Sequence, residues 1–145
     1  MAVAYFLLNA VASDPALVTA TRSLAVESLR AALWGVDQQE PHADALGIRD
    51  LALVYLGAPD RVFIGRAEIA STVHPWTPLE ASRYPGDTAT GVLLTQVDAW
   101  DPPLPMADVL TEIGPSDTTK ADFPYGVMRI VESEYRAALA VAARR

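Results

Sequence analysis

Leu51-Ala52-Leu53-Val54-Tyr55-Leu56, Gly57-Ala58-Pro59-Asp60 and Arg61-Val62-Phe63-Ile64-Gly65-Arg66-Ala67-Glu68-Ile69-Ala70-Ser71 form the stretch on which the fold turns. The first run is almost wholly apolar. The last alternates Val62, Ile64, Ala67 and Ile69 with Arg61, Arg66 and Glu68, and a turn sequence joins the two. Short apolar or alternating runs bounded by turn residues read as strands, so this stretch predicts a hairpin. Gly65 breaks the strict period, which points to a bulge or a close backbone approach, devices that bend strands in small barrels. Trp34 precedes the hairpin and Trp76 follows it.

Upstream, residues 2–10 are a continuous apolar run with two aromatics that ends at polar Asn9, as a central strand buried on both faces reads. Ser13-Asp14-Pro15 offers a cap residue and then proline, a helix start. The polar stretch 19–23 divides two short helices, the second capped by Ser23 and carrying Val26, Leu29 and Leu33 at helical spacing. After Trp34, Gly35 permits a sharp turn and Pro41 bars further helix, so 35–42 reads as a polar loop, and 44–48 as a helical turn.

Downstream, residues 72–90 read as one long loop rich in Pro, Ser and Thr that holds His74-Pro75-Trp76-Thr77-Pro78 and the turn signal Pro85-Gly86-Asp87. Residues 91–100 resume a strand, which Asp101-Pro102-Pro103-Leu104-Pro105 stops. A helix over 106–113 ending at Gly114, a turn around Pro115-Ser116-Asp117, a strand over 125–131 and a helix capped by Ser133 complete the chain. The expectation is an α+β fold: one domain, residues 1–145, built on a barrel of about five to six strands with peripheral helices.

Composition narrows the function classes. The formal charge of −7 argues against a protein that coats nucleic acid through a general basic field, yet permits local contacts. Ten of the eleven cationic residues are arginine, Lys120 being the exception, and arginine suits bidentate phosphate contacts; a GC-rich coding sequence explains the same bias. Absence of cysteine removes disulfides and thiolate metal sites. No apolar run approaches the ~18 residues of a membrane span, and the first residues lack the pattern of a signal peptide, so the expected location is the cytoplasm, with no membrane partner.

Candidates for catalysis are few. The two histidines, His42 and His74, lie far apart in sequence, and neither sits in a metal-binding spacing such as HExxH. No serine occupies a nucleophile elbow and no Gly-rich phosphate loop follows a strand. The tryptophans say more. Trp100, against Asp101-Pro102-Pro103, is explained by packing on proline rings. Trp34 and Trp76 each stand where a regular element gives way to a loop, so either is a core residue or a ring face shown to a flat ligand. Asp37, Gln38 and Gln39 could provide the edge contacts that such a ligand needs: a carboxylate accepts from a cytosine amino group, and a glutamine amide both donates and accepts.

The order of these features resembles the EVE domain, a member of the PUA-like superfamily related to YTH domains. The resemblance rests on the strand ending in Asn9, on Leu33-Trp34-Gly35-Val36, on residues 51–56 and 62–69, and on His74-Pro75-Trp76. It continues through Gly91-Val92-Leu93-Leu94 and Trp100-Asp101-Pro102-Pro103-Leu104-Pro105, and so covers most of the chain. Two departures stand out: Ile48-Arg49-Asp50 replaces the usual Gly-Asp, and the segment after Val36 lacks the Arg-Asn of the branch close to eukaryotic members. Asp37-Gln38-Gln39 is more similar to EVE domains at the start of bacterial modification-dependent restriction endonucleases, where a nuclease follows.

What the resemblance implies is a non-catalytic reader of modified bases in DNA, 5-methylcytosine or 5-hydroxymethylcytosine first, with modified adenine and RNA left open. The base would be flipped into an aromatic cage of Trp34 and Trp76, with Asn9, Asp37, Gln38 and Gln39 at its edge. Arg61, Arg66 and Arg83 are the candidate phosphate contacts. No cofactor or metal is implied, and the partners are modified DNA and a nuclease domain to which the reader is fused or with which it acts. Two rivals come from other classes: a small enzyme acting on a nucleotide-like metabolite with His42, Glu40 or Asp37 as acid–base groups, and a protein-interaction module anchored by exposed tryptophans.

Overall fold

The computed structural model describes residues 3–10, 18–57, 60–113 and 126–144. Among them are strands β1 (Tyr5–Ala10), β2 (Leu33–Gly35), β3 (Leu51–Leu56), β4 (Val62–Ile69), β5 (His74–Pro75), β6 (Thr90–Pro105) and β7 (Val127–Ile130). The helices are α1 (Val18–Ala31), α2 (Pro78–Arg83), α3 (Met106–Ile113) and α4 (Glu132–Ala143), with a 3₁₀ turn at Ala43–Ala45. The strands form one curled sheet in the order β2-β6-β4-β3-β1-β7, with β5 also on β6. The expected barrel is thus a half-barrel with two open edges.

Burial on both faces explains the continuous apolar runs. Successive strand side chains point to opposite faces. Phe6, Leu8, Val54 and Leu56 therefore join α1 residues Ala25 and Leu29 in one core cluster. Leu7, Leu53 and Tyr55 face the other way, into a cluster with Val109 of α3 and Tyr135 and Ala138 of α4. Each fully buried Leu or Phe contributes about 1.5–3 kcal/mol. β1 is central as expected, parallel to β3 and antiparallel to β7. β3 and β4 form the expected antiparallel pair, with its register shift between Val54 and Tyr55 and Gly65 close by. A Cβ on Gly65 would lie 2.4 Å from the Asp98 carbonyl oxygen, so β6 comes as close as a glycine allows.

Several local expectations are corrected. Residues 19–23 do not divide two helices: α1 is continuous, because Thr and Ser cost at most about 0.7 kcal/mol each in a helix, less than the packing of Ala25 and Leu29 returns. The helix stops at Ala31, where Ala32 takes a left-handed φ of 62°, so Leu33 belongs to β2 and pairs with Leu93. Residues 72–90 are not one loop, since β5 and α2 lie within them. β6 does not stop at Asp101: the chain bulges through Trp100–Pro103 and returns to pair Leu104 with Phe63 and Pro105 with Val62, with the prolines outside most of the ladder. α4 starts one residue before Ser133, and the N–H of Val131 donates to the Glu134 carboxylate at 3.1 Å. The expected helix start at Ser13, Gly114, the turn at Pro115-Ser116-Asp117 and the tip of the 57–60 turn lie outside the described residues. Among the described residues, no helix is long and apolar enough to cross a membrane.

Candidate functional site

At the end of the sheet where β1 terminates, the described residues enclose a cavity of about 780 Å³. β1 and α1 supply Asn9, Ala10, Leu24, Ala25 and Ser28; β2 and the following loop supply Trp34, Gly35 and Asp37; the segment after α2 supplies Tyr84, Asp87 and Thr88. The wall thus combines two aromatic residues, a mixed α1 side of Thr21, Leu24, Ala25 and Ser28, and carboxylate and amide groups. No lining residue is cationic.

Each aromatic is fixed differently. Trp34 pairs with Val92 on the neighbouring strand and is only 7% exposed, so its indole is mainly core and offers part of a face to the cavity. Tyr84 is half-buried at the end of α2, its N–H donating to the Glu80 carbonyl at 2.9 Å. Its ring extends over Gly35, where a Cβ would come within 2.1 Å of the phenol oxygen. Trp76 does not line the cavity. It packs against Tyr84 with ring centroids 5.0 Å apart and its Nε1 donates to the Thr88 carbonyl at 2.8 Å. Trp34 and Trp76 meet across Gly91, where a Cβ would lie 2.2 Å from the Trp34 carbonyl oxygen and 2.4 Å from the Trp76 ring.

A polar brace holds this wall. His74 Nδ1 lies 2.8 Å from the Thr72 carbonyl and Nε2 lies 2.9 Å from Glu80 Oε1, so both ring nitrogens face acceptors, and an imidazolium satisfies both. The Thr72 carbonyl and then the Glu80 carboxylate raise the His74 pKa above its ordinary value. Glu80 is held below the usual carboxylate range, first by the Thr77 N–H and then by the His74 ring. Thr77 and Glu80 form a reciprocal capping box with Pro78 in the first turn, which fixes α2 despite its lack of buried residues.

The other sequence candidates are dispersed. Asp37 is at the cavity, and its Oδ1 accepts the Gln39 N–H at 2.8 Å. Gln38 lies on a separate hollow with Asp44 and Thr72, and the exposed Gln39 does not line the cavity. Glu40 serves the backbone: its Oε1 accepts the N–H groups of Gly126 and, at 3.2 Å, Val127, tying the loop to β7. His42 stands in a left-handed conformation before the 3₁₀ turn. Of His42, Glu40 and Asp37, only Asp37 lines the cavity, and the carboxylates of Glu40 and Asp37 both accept backbone N–H groups. Arg83 is exposed, directly before Tyr84. Arg61 lies in the β3–β4 connection at the cavity end of the sheet. Arg66 sits 4.0 Å from Asp98, whose carboxylate also accepts from Trp100 Nε1, on the face that carries α3 and α4. Trp100 packs against that second cluster.

Tyr84, Asp87, Thr88 and the α1 wall were not among the sequence candidates. A signal for Tyr84 existed: Thr77-Pro78-Leu79-Glu80 has the spacing of a capping box, hence of a helix that delivers whatever follows it.

No protein-family model and no curated protein sequence matches the chain. Solved structures do. The chain is similar to Rpa0253 from Rhodopseudomonas palustris, with 21% identity, a TM-score of 0.59, and 98% of this chain and 94% of that one covered. Human THYN1, solved in complex with DNA containing 5-methylcytosine, matches with 12% identity, a TM-score of 0.63 and coverage of 98% and 99%. ASCH from Zymomonas mobilis matches with 12% identity, a TM-score of 0.51 and 94% of both chains. With its curled mixed sheet and peripheral helices, the chain has the PUA-like fold.

Proposed function

We propose that this chain is an EVE-type reader of modified cytosine in DNA, which accepts a flipped 5-methylcytosine or 5-hydroxymethylcytosine in the cavity between Trp34 and Tyr84. One observation carries the reading: the cavity sets two aromatic residues beside Leu24 and Ala25 of α1 and the carboxylates of Asp37 and Asp87. Human THYN1, of the same fold, was solved with DNA containing 5-methylcytosine, which supports the choice of ligand. Trp76 acts as the support of Tyr84. The exocyclic amino group of the base donates to Asp37, and the 5-substituent meets Leu24 and Ala25.

Magnitudes favour a division of labour. Stacking is worth about 1–3 kcal/mol per base and does not depend on the modification. A single added methyl group, at about 0.8 kcal/mol, gives roughly fourfold preference. The cavity therefore provides selection, and backbone grip comes from Arg61, Arg83 and a partner; with net charge −7 the chain is suited to act with a nuclease domain. Equilibrium binding to duplexes that differ only in one cytosine, unmodified, 5-methylated or 5-hydroxymethylated, tests the reading. A preference for a modified duplex supports it, and equal affinity for all three sinks it.

A further inference from the structure

Four large apolar side chains among the described residues are exposed: Val3, Ile48, Leu79 and Val131. Three share one end of the sheet. Val3 precedes β1 and Ile48 precedes the parallel β3, while Val131 follows β7, whose Ile130 pairs with Tyr5 at the start of β1. The cavity lies at the opposite end, beyond Asn9 and Ala10. Leu79 stands apart from the three, on α2, and at 68% it is the most exposed of the four.

Its setting is rigid. α2 is held by the Thr77–Glu80 capping box and by the His74–Glu80 contact, and it runs directly into Tyr84 of the cavity wall. Leu79 is five residues before Tyr84, ~7.5 Å along a helix axis. Glu80 marks the anchored side of this helix, and Leu79 and Arg83, one turn apart, lie together beside it, both exposed. An exposed leucine held on a short braced helix, with an arginine beside it and the helix leading into the wall of a cavity roomy enough for a base, matches what base flipping requires. The emptied place in the stack is filled by an apolar side chain and the neighbouring phosphate is held by a cation.

We propose that Leu79 enters the DNA duplex at the place vacated by the flipped base while Arg83 holds an adjacent phosphate, so that the ligand is a modified base in double-stranded DNA. This rests on the reader function proposed above. Neither side chain is part of the core, so Leu79→Ala and Arg83→Gln leave the fold intact.

The test compares wild type, L79A and R83Q on one oligonucleotide carrying a single 5-methylcytosine, as duplex and as single strand, and on the unmodified pair. For L79A the expected result is a loss of about tenfold or more on the modified duplex and less than about twofold on the single strand, since only the duplex offers a vacated stack. For R83Q binding falls on both forms and the slope of affinity against salt drops by about one phosphate contact. Equal losses by L79A on duplex and single strand, no loss on either, or a wild type that binds only single strands would overturn the wedge while leaving modified-base reading in place. A wild type with no preference for the modified base in either form would overturn both.

Discussion

Trp76 lies against Tyr84 with ring centroids 5.0 Å apart and planes inclined by 41°, and it is the tyrosine, not the tryptophan, that lines the cavity. The two aromatics that do line it, Tyr84 and Trp34, have separable roles. Tyr84→Ala removes a half-buried ring and is expected to cost about 1–3 kcal/mol of modified-base binding while the protein stays folded. Trp34→Ala removes an indole that is 7% exposed and is expected to cost about 3–5 kcal/mol of stability. Urea denaturation alongside fluorescence anisotropy separates the two; a Tyr84→Ala protein that binds as tightly as wild type would remove the tyrosine from the site.

Gly91 lies between the two tryptophan segments. A Cβ there would lie 2.2 Å from the Trp34 carbonyl oxygen and 2.4 Å from the Trp76 ring, and the backbone oxygen cannot swing aside. Gly91→Ala is expected to destabilise by about 1–3 kcal/mol through overpacking and to change tryptophan fluorescence. An unchanged urea midpoint would place these segments farther apart than described.

The His74–Glu80 brace makes the Tyr84 wall sensitive to pH. His74 has its pKa raised in the fold, so its contribution is fully present below its unfolded value near 6.5 and is lost as pH rises through the folded value above that. Glu80 has its pKa lowered, so its contribution is present above its unfolded value near 4.5 and is lost as pH falls through the folded value below that. The brace is strongest between those two unfolded values. NMR titration should find the His74 pKa above 6.5 in wild type and lower in Glu80→Gln; identical titration of the two proteins would contradict the pairing.

Glu40 illustrates a residue whose type suggested chemistry and whose position assigns it to structure. Its carboxylate accepts two backbone N–H groups at the start of β7. Glu40→Ala leaves those donors without it and is expected to cost about 1–3 kcal/mol, with faster hydrogen exchange at Gly126 and Val127. Unchanged protection at both amides would speak against the tie.

How far the chain could be read follows from how each feature is encoded. β1, β3 and β4 were legible because each is buried deeply enough to need a continuous or alternating apolar run. β2 and β5 were not, since three and two residues carry no period and exist only as partners of β6. Ala32 ends α1 through a left-handed φ for which its side chain gives no signal. Trp34 and Asp37 stand out in the sequence at a loop start and Asn9 through the family resemblance, and all three line the cavity. Tyr84, eight positions after Trp76, is less legible, because the helix that separates them is only six residues long and buries no side chain that would give it an apolar period. Gln38 and Gln39 follow Asp37 in sequence but diverge in space, as consecutive residues of a turn do.

The most direct measurement is NMR mapping of the protein during titration with an oligonucleotide carrying one 5-methylcytosine and with its unmodified twin. The expected result is perturbation by the modified strand of the Trp34 indole N–H and of the amides of Asn9, Ser28, Tyr84 and Thr88, with little change at those sites from the unmodified one. The same perturbations from both strands, or changes confined to another surface such as that around Trp100 and Pro102, would contradict a modified base held between Trp34 and Tyr84.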